Sequence, residues 1–193
     1  NMPNKKKFST LFLVLTLLLT TLACTMSVGG PDDPYPQVNI PVSPQSVEGM
    51  QEQFKAVVEA GIKGETIILT ITETQLTSYL ASKLKSENDP FFTDPQVYLR
   101  DGQMQIFGKA SQGYFTATVK VLVTVGIDDQ GQPSIAIASA DFGPLPAPPS
   151  LAGFLSDMIT EAYTGAIGPV ATGFRVEQIA ISEGFMVISG KVK

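Results

Sequence analysis

One residue of this chain combines a side chain and a position that call for covalent chemistry. Cys24 is the only cysteine among 193 residues. It follows Lys5-Lys6-Lys7 and the uncharged run Phe8 to Ala23, FSTLFLVLTLLLTTLA. A cationic head, an apolar stretch and a small residue before a cut site make a bacterial export signal. A cysteine directly after that site is the acceptor of a lipoprotein signal: its thiol takes diacylglycerol, and the residue becomes the new N-terminus. Ala23 fits the position before the cut. Leu22 and Thr21 depart from the favoured order, which has Leu three residues before the cysteine and a small residue two before. Two other readings stay open. Phe8 to Val28 is nearly free of charge, and about 20 apolar residues span a bilayer, so the run also fits an uncleaved anchor. It fits plain secretory cleavage as well. All three keep the lysines inside and place the rest of the chain outside the cytoplasm.

Elsewhere the residue types that carry catalysis are missing. The chain has no histidine, which excludes Ser-His-Asp and Cys-His machinery and imidazole metal sites. With Cys24 committed to the signal there is no second thiol, so neither a nucleophile nor an intrachain disulfide is expected. No GxGxxG or GxxxxGK[ST] phosphate loop occurs. Asp128-Asp129-Gln130-Gly131 lacks the alternating ligands and distal Glu of an EF-hand and reads as a hairpin turn. Asp157 and Glu161 stand one helical turn apart, as expected of an exposed polar face. Asp141 has no partner nearby in sequence. The expectation is a non-enzymatic protein without a cofactor or metal.

Charge narrows the partners. Removing the three signal lysines leaves 10 Lys/Arg against 18 Asp/Glu, a formal net of −8 from Cys24 onward. Nucleic-acid affinity comes mostly from Lys/Arg meeting phosphate, so no nucleic-acid partner is expected. Adsorption to anionic lipid through a polybasic patch is equally disfavoured. The mature part, about 170 residues, suffices for one domain with a proper core.

The elements that would build that domain follow from the patterning. Residues 24–45 carry Pro31, Pro34, Pro36, Pro41 and Pro44 with Gly29 and Gly30, which blocks helix and ladder bonds. An extended tether of that length reaches roughly 60 Å at about 3 Å per residue. A variant of this reading packs Val38 to Val42 as an edge strand. The domain itself is expected over 46–193. Ser46 opens a helix with Val47, Met50, Phe54, Val57 and Val58 on one stripe and Glu48 and Glu52 in its first turns. Gly61 and Gly64 stop it. Glu65 to Ile71 reads as a central strand by its near-continuous apolar run. Thr72 and Gln75 form a capping box for a helix to Ser86, with Leu76, Tyr79, Leu80 and Leu84 as its apolar stripe.

Asn88-Asp89-Pro90 and Asp94-Pro95 mark a loop. A hairpin follows, Val97–Arg100 and Gln103–Ala110 around Asp101-Gly102. Strict alternation from Tyr114 to Ile127 predicts a long strand with Phe115, Ala117, Val119, Val121, Val123, Val125 and Ile127 on the core face. Ser134 to Phe142 returns, with Ile135 and Ile137 on one face and Ala136, Ala138 and Ala140 on the other. After the proline-rich Gly143 to Pro149, Ser150 caps a helix with Leu151, Phe154, Leu155, Met158, Ile159 and Ala162 as its apolar face. Phe174–Ile181 and Phe185–Val192 close the chain as a hairpin around Glu183-Gly184.

The two hairpins echo each other: VYLRDGQMQIFGK from Val97 to Lys109 aligns with IAISEGFMVISGK from Ile179 to Lys191. Each follows a helix and a proline-containing loop. The predicted fold is therefore α+β, a curled antiparallel sheet of two helix-plus-hairpin units joined by long strands, with the helices on one face. Gly108 and Gly190 would mark bends or bulges.

Several of these stretches resemble the YpmS-like family of bacterial envelope proteins. They are Thr72-Glu73-Thr74-Gln75-Leu76 with Tyr79-Leu80, Val97 to Gly108, Phe142-Gly143-Pro144-Leu145-Pro146 and the closing hairpin. Thr77 stands where that family usually has Asn, and a lipoprotein signal replaces its membrane anchor. The chain is similar, more distantly, to the LmeA-type envelope proteins, and that resemblance implies lipid binding. An apolar ligand would lie between helices and sheet, against Leu76, Tyr79, Leu80, Phe154, Leu155, Met158 and Ile159, with Ala136, Ala138 and Ala140 as a floor. Ordinary core packing is the alternative for each. The other functional reading is an interaction module that docks an envelope protein through Phe142 to Pro149 and an exposed strand edge.

Overall fold

In a computed structural model of the chain, residues 38–60, 64–86, 92–112, 115–129, 133–142, 153, 157 and 174–192 are described. The predicted signal and most of the tether, residues 1–37, lie outside them, and so does the helix expected from Ser150 apart from Gly153 and Asp157. Those two are helical and exposed.

The fold is α+β, with two helices and two antiparallel sheets among the described residues. Helix α1 spans Pro44–Ala60. It begins earlier than its predicted Ser46: Ser43 is the cap, its Oγ accepting from the Ser46 N–H (3.4 Å), and Pro44 takes the first helical position, where its missing N–H is harmless. Glu48 therefore lies beyond the first turn. Strand β1 is Thr66–Thr72 and helix α2 is Glu73–Ser86. The predicted capping box is formed: the Thr72 N–H donates to Gln75 Oε1 (2.9 Å), and the Gln75 N–H donates to Thr72 Oγ1 (3.3 Å).

Strands β2 (Phe92–Arg100), β3 (Gln103–Gln112), β4 (Phe115–Ile127) and β5 (Pro133–Asp141) form a four-stranded sheet in sequence order. Strands β6 (Phe174–Ser182) and β7 (Phe185–Val192) pair with β1 in the order β1-β7-β6. The single curled sheet is thus corrected to two sheets. The two hairpins fall in different sheets because β1 pairs with β7 and no ladder joins β1 to β2. Consequently β1 is an edge strand rather than a central one. Leu69 and Ile71 are buried, while Ile68, in a run that read as apolar throughout, points outward.

One core joins the two sheets and both helices. It includes Met50 and Phe54 of α1, Leu80 and Leu84 of α2, Phe92 and Leu99 of β2, Val119, Val121 and Val123 of β4, and Met186 and Ile188 of β7. The predicted inward face of β4 is correct at those three valines, which are fully buried. On β5 a register shift opposite Leu122 and Val123 adds a residue at Ala138. Parity switches there, so Ala140 packs on the core together with Ile135 and Ile137, while Ala136 and Ala138 face outward. The predicted floor of three alanines is corrected accordingly.

The hairpin echo extends further in space than in sequence. Both hairpins turn on two residues, with Asp101 (φ 53°), Gly102 (φ 72°) and Gly184 (φ 88°) left-handed, as tight hairpin turns require. Each first strand carries a bulge at the aligned place, between Thr93 and Gln96 in β2 and between Val176 and Gln178 in β6. Each bulge is followed by a glutamine and flanked by an ion pair across the hairpin: Lys109 to Asp94 (2.8 Å) and Lys191 to Glu177 (3.1 Å). Gly190 lies opposite its bulge, as predicted. Gly108 does so too, facing the bulged Asp94-Pro95 pair, and glycine is needed there because the Phe92 ring packs onto it.

Candidate functional site

Asp94 and Pro95, expected in a loop, sit inside β2 and make its bulge. Asp94 adopts φ 50°, and Pro95 has no N–H to contribute to a ladder, so pairing lapses for one residue. The extra residue reverses the alternation of β2. Phe92, Val97 and Leu99 face the main core, while Gln96 and Tyr98 are turned to the opposite face.

That opposite face is covered by the segment that leads into α1. Ile40 is buried against Tyr98 and Phe107 in a cluster separate from the main core, the two rings meeting edge to face at 5.7 Å. The Gln96 side-chain amide reads both backbone groups of Ile40: Oε1 accepts its N–H (2.6 Å) and Nε2 donates to its carbonyl (3.4 Å). The Tyr98 hydroxyl donates to the Val38 carbonyl, and the Ser43 N–H donates to Ser78 Oγ (3.0 Å) on α2. Residues 38–43 therefore form a strap across the outside of β2. It is held by side chains rather than by the ladder of an edge strand, and the packed domain begins before residue 46. Burial pushes the Tyr98 phenol above its ordinary value; the Glu73 carboxylate adds to the shift and the Arg100 guanidinium opposes it.

Between the strap, the last turns of α2 and the bulged edge of β2 lies a groove of about 830 Å³. Asn39 and Val42 of the strap form one wall, and Ala81, Leu84 and Lys85 of α2 form another. Phe92, Thr93, Asp94, Pro95 and Gln96 line the β2 side, with Lys109 and Thr118 beyond. Its volume falls within the range of about 300–1,000 Å³ typical of small-molecule sites. Apolar side chains make the walls; Lys85, Asp94, Lys109, Asn39, Thr93 and Gln96 supply the polar groups.

Helix α2 holds β2 in place by capping its open edge. Glu73 and Thr77 are one helical turn apart, about 6 Å along the axis. The N–H groups of Leu99 and Val97 are two strand residues apart, about 6.6 Å. The spacings match, so the Leu99 N–H donates to Glu73 Oε1 (2.7 Å) and the Val97 N–H to Thr77 Oγ1 (2.9 Å). Glu73 also pairs with Arg100, whose Nε reaches Glu183 Oε2 (3.1 Å). At the same point the Gly184 N–H donates to the Leu99 carbonyl (3.1 Å) and the Glu73 N–H to the Gly184 carbonyl (3.2 Å). The tip of the β6–β7 hairpin is thereby clipped to the end of β2, joining the two sheets. This cluster is structural: its side chains bond to one another and to the backbone of the strands they join.

The predicted lining residues are placed as follows. Tyr79 and Leu80 are buried in the main core and Leu76 packs against it; none of the three lines the groove. The groove lies against the next turn of the same helix, at Ala81, Leu84 and Lys85. Phe154, Leu155, Met158 and Ile159 lie outside the described residues. Phe142, expected in the docking loop, is a core residue, and 143–149 lie outside the described residues. The sequence packs Val38 to Val42 only as a variant of the tether, and as an edge strand rather than a strap; Ile40 between prolines and Gln96 beside Asp94-Pro95 are the signals that point to the strap. Among the described residues no group of three His, Cys, Asp or Glu could hold a metal ion, and no helix is long and apolar enough to cross a membrane. No family model matches the chain, and no curated protein matches its sequence.

Proposed function

We propose that this protein is a lipid-anchored, extracytoplasmic, non-enzymatic binding protein that holds a lipid or similarly apolar ligand in the groove between strap, α2 and β2. The observation that carries the reading is the groove itself: about 830 Å³, walled by Val42, Ala81, Leu84, Phe92 and Pro95. The anchor would be Cys24, and the 14 residues before Val38 reach roughly 40 Å when extended, enough to present the groove near a membrane surface. The sequence resemblance to the YpmS-like and, more distantly, the LmeA-type envelope proteins is in keeping with this assignment.

The test is photocrosslinking of the full chain in phosphatidylcholine nanodiscs with a photoreactive long-chain fatty acid. Labelling is expected within residues 39–42, 81–85 and 92–96, competed by unlabelled fatty acid. Labelling confined to other surfaces, or none, overturns the assignment. A second reading, docking of an envelope protein, is favoured by one observation. Ile68 and Phe185 are exposed on the same outward face of the β1–β7 pair, at 66% and 40%.

A further inference from the structure

We infer that Val38–Ser43 is a releasable latch whose docking closes one side of the groove, so that strap release and ligand exchange are one coupled event. The inference rests on the groove reading. Four observations carry it. The backbone of the strap at Val38 and Ile40 is held by the side chains of Tyr98 and Gln96, each of which can let go singly, whereas a ladder must peel in order. Its single buried anchor, Ile40, packs on Tyr98 and Phe107 in a cluster apart from the main core, so undocking leaves that core intact. The neighbouring Val38 and Val42 are largely exposed. Finally, Asn39 and Val42 line the groove directly.

The hinge is equally defined. Ser43 caps α1 and hydrogen-bonds Ser78, so the C-terminal end of the strap stays fixed while the Val38 end swings. That free end is continuous with the proline-rich segment that leads to Cys24. By contrast, Gln178, which occupies the place of Gln96 in the second hairpin, is exposed. The bulge and its glutamine occur twice in the fold; the strapped one borders the groove.

Coupling must be reciprocal: a ligand resting on the docked strap stabilises its docking, and a weakened strap weakens retention. The experiment uses the full chain in phosphatidylcholine nanodiscs, a fluorescent long-chain fatty acid as probe, and hydrogen exchange at the Ile40 and Ser43 amides. Gln96→Ala is expected to speed exchange at Ile40 at least tenfold with the β3 and β4 amides unchanged. It should also raise both association and dissociation rates of the fatty acid. Added fatty acid should slow Ile40 exchange in the unaltered chain. Ile40→Ala, which alters the strap and not β2, must act in the same direction. Faster exchange with unaltered fatty-acid rates in both variants overturns the latch and leaves the groove reading standing. Unchanged exchange in both overturns the latch as well. Failure of every form of the chain to take up fatty acid removes the groove reading and the latch with it.

Discussion

Replacing Gly108 by alanine tests whether the packing that shapes the groove is as tight as the geometry requires. A Cβ at this position would stand 2.1, 2.6 and 2.7 Å from three ring atoms of Phe92. Real Cβ atoms do not approach so closely, so the Phe92 ring, fully buried where it stands, or the strand itself must shift. The backbone at Gly108 is ordinary strand, so the conflict is one of volume rather than φ. Overpacking of this kind costs about 1–3 kcal/mol. For a domain of this size each kcal/mol lowers Tm by about 2–4 °C, so the expected loss is roughly 2–12 °C. Phe92→Leu should relieve it: the smaller side chain leaves space that the new methyl occupies, and the double mutant should be more stable than additivity predicts by about 0.5–3 kcal/mol. Thermal and urea unfolding followed by far-UV circular dichroism measures all four forms. A Gly108→Ala variant within about 0.5 kcal/mol of the parent, or strict additivity with Phe92→Leu, refutes the reasoning.

Two further outcomes follow from the hub and the strap. Glu73→Ala leaves the Leu99 N–H without its acceptor and Arg100 without one of its two carboxylates, so stability should fall by about 1–3 kcal/mol, and Glu73→Gln should recover part of it by keeping that acceptor. Equal losses in the two variants, measured by urea unfolding, would contradict this. Because the folded Tyr98 phenol titrates above its ordinary value, its contribution is complete below about pH 10 and is lost as pH rises through the raised value. Exchange at Ile40, extrapolated to a common intrinsic rate, should therefore accelerate in step with tyrosinate absorbance, and Tyr98→Phe should abolish that step. The charged groups facing the phenol are Glu73 and Arg100.

How far the fold was legible in the sequence depended on whether the signal was local. The α2 capping box, the Asp101-Gly102 turn and the alternation of Val119, Val121 and Val123 are written within a few residues, and each stands where expected. The misreadings concern parity and partners. Ala140 lies on an unexpected face because a bulge adds one residue, and only the register of the facing strand reveals it. The apolar run Ile67-Ile68-Leu69 reads as central, yet among the described residues β1 sits at an edge, its one ladder partner there, β7, lying more than a hundred residues away. Leu76, Tyr79 and Leu80 were chosen for their stripe, and a stripe reports burial without distinguishing core from cavity. The strap was hidden among prolines: Ile40 is one apolar residue, and its docking depends on Gln96 and Tyr98, 56 and 58 positions on.

The central claim is that the groove holds an apolar ligand, and native mass spectrometry of the full chain released from membranes tests it most directly. A covalent lipid on Cys24 survives denaturation, whereas a groove ligand is lost, so comparing native with denatured masses separates the two. Thr118→Trp is the matching variant. Thr118 lines the groove, is only half-buried, and lies in a strand, where tryptophan is well tolerated. The account predicts a denaturation-labile lipid at near-stoichiometric level in the parent, strongly reduced in Thr118→Trp with its Tm retained. A parent whose native and denatured masses agree, and which takes up no added lipid, would contradict it.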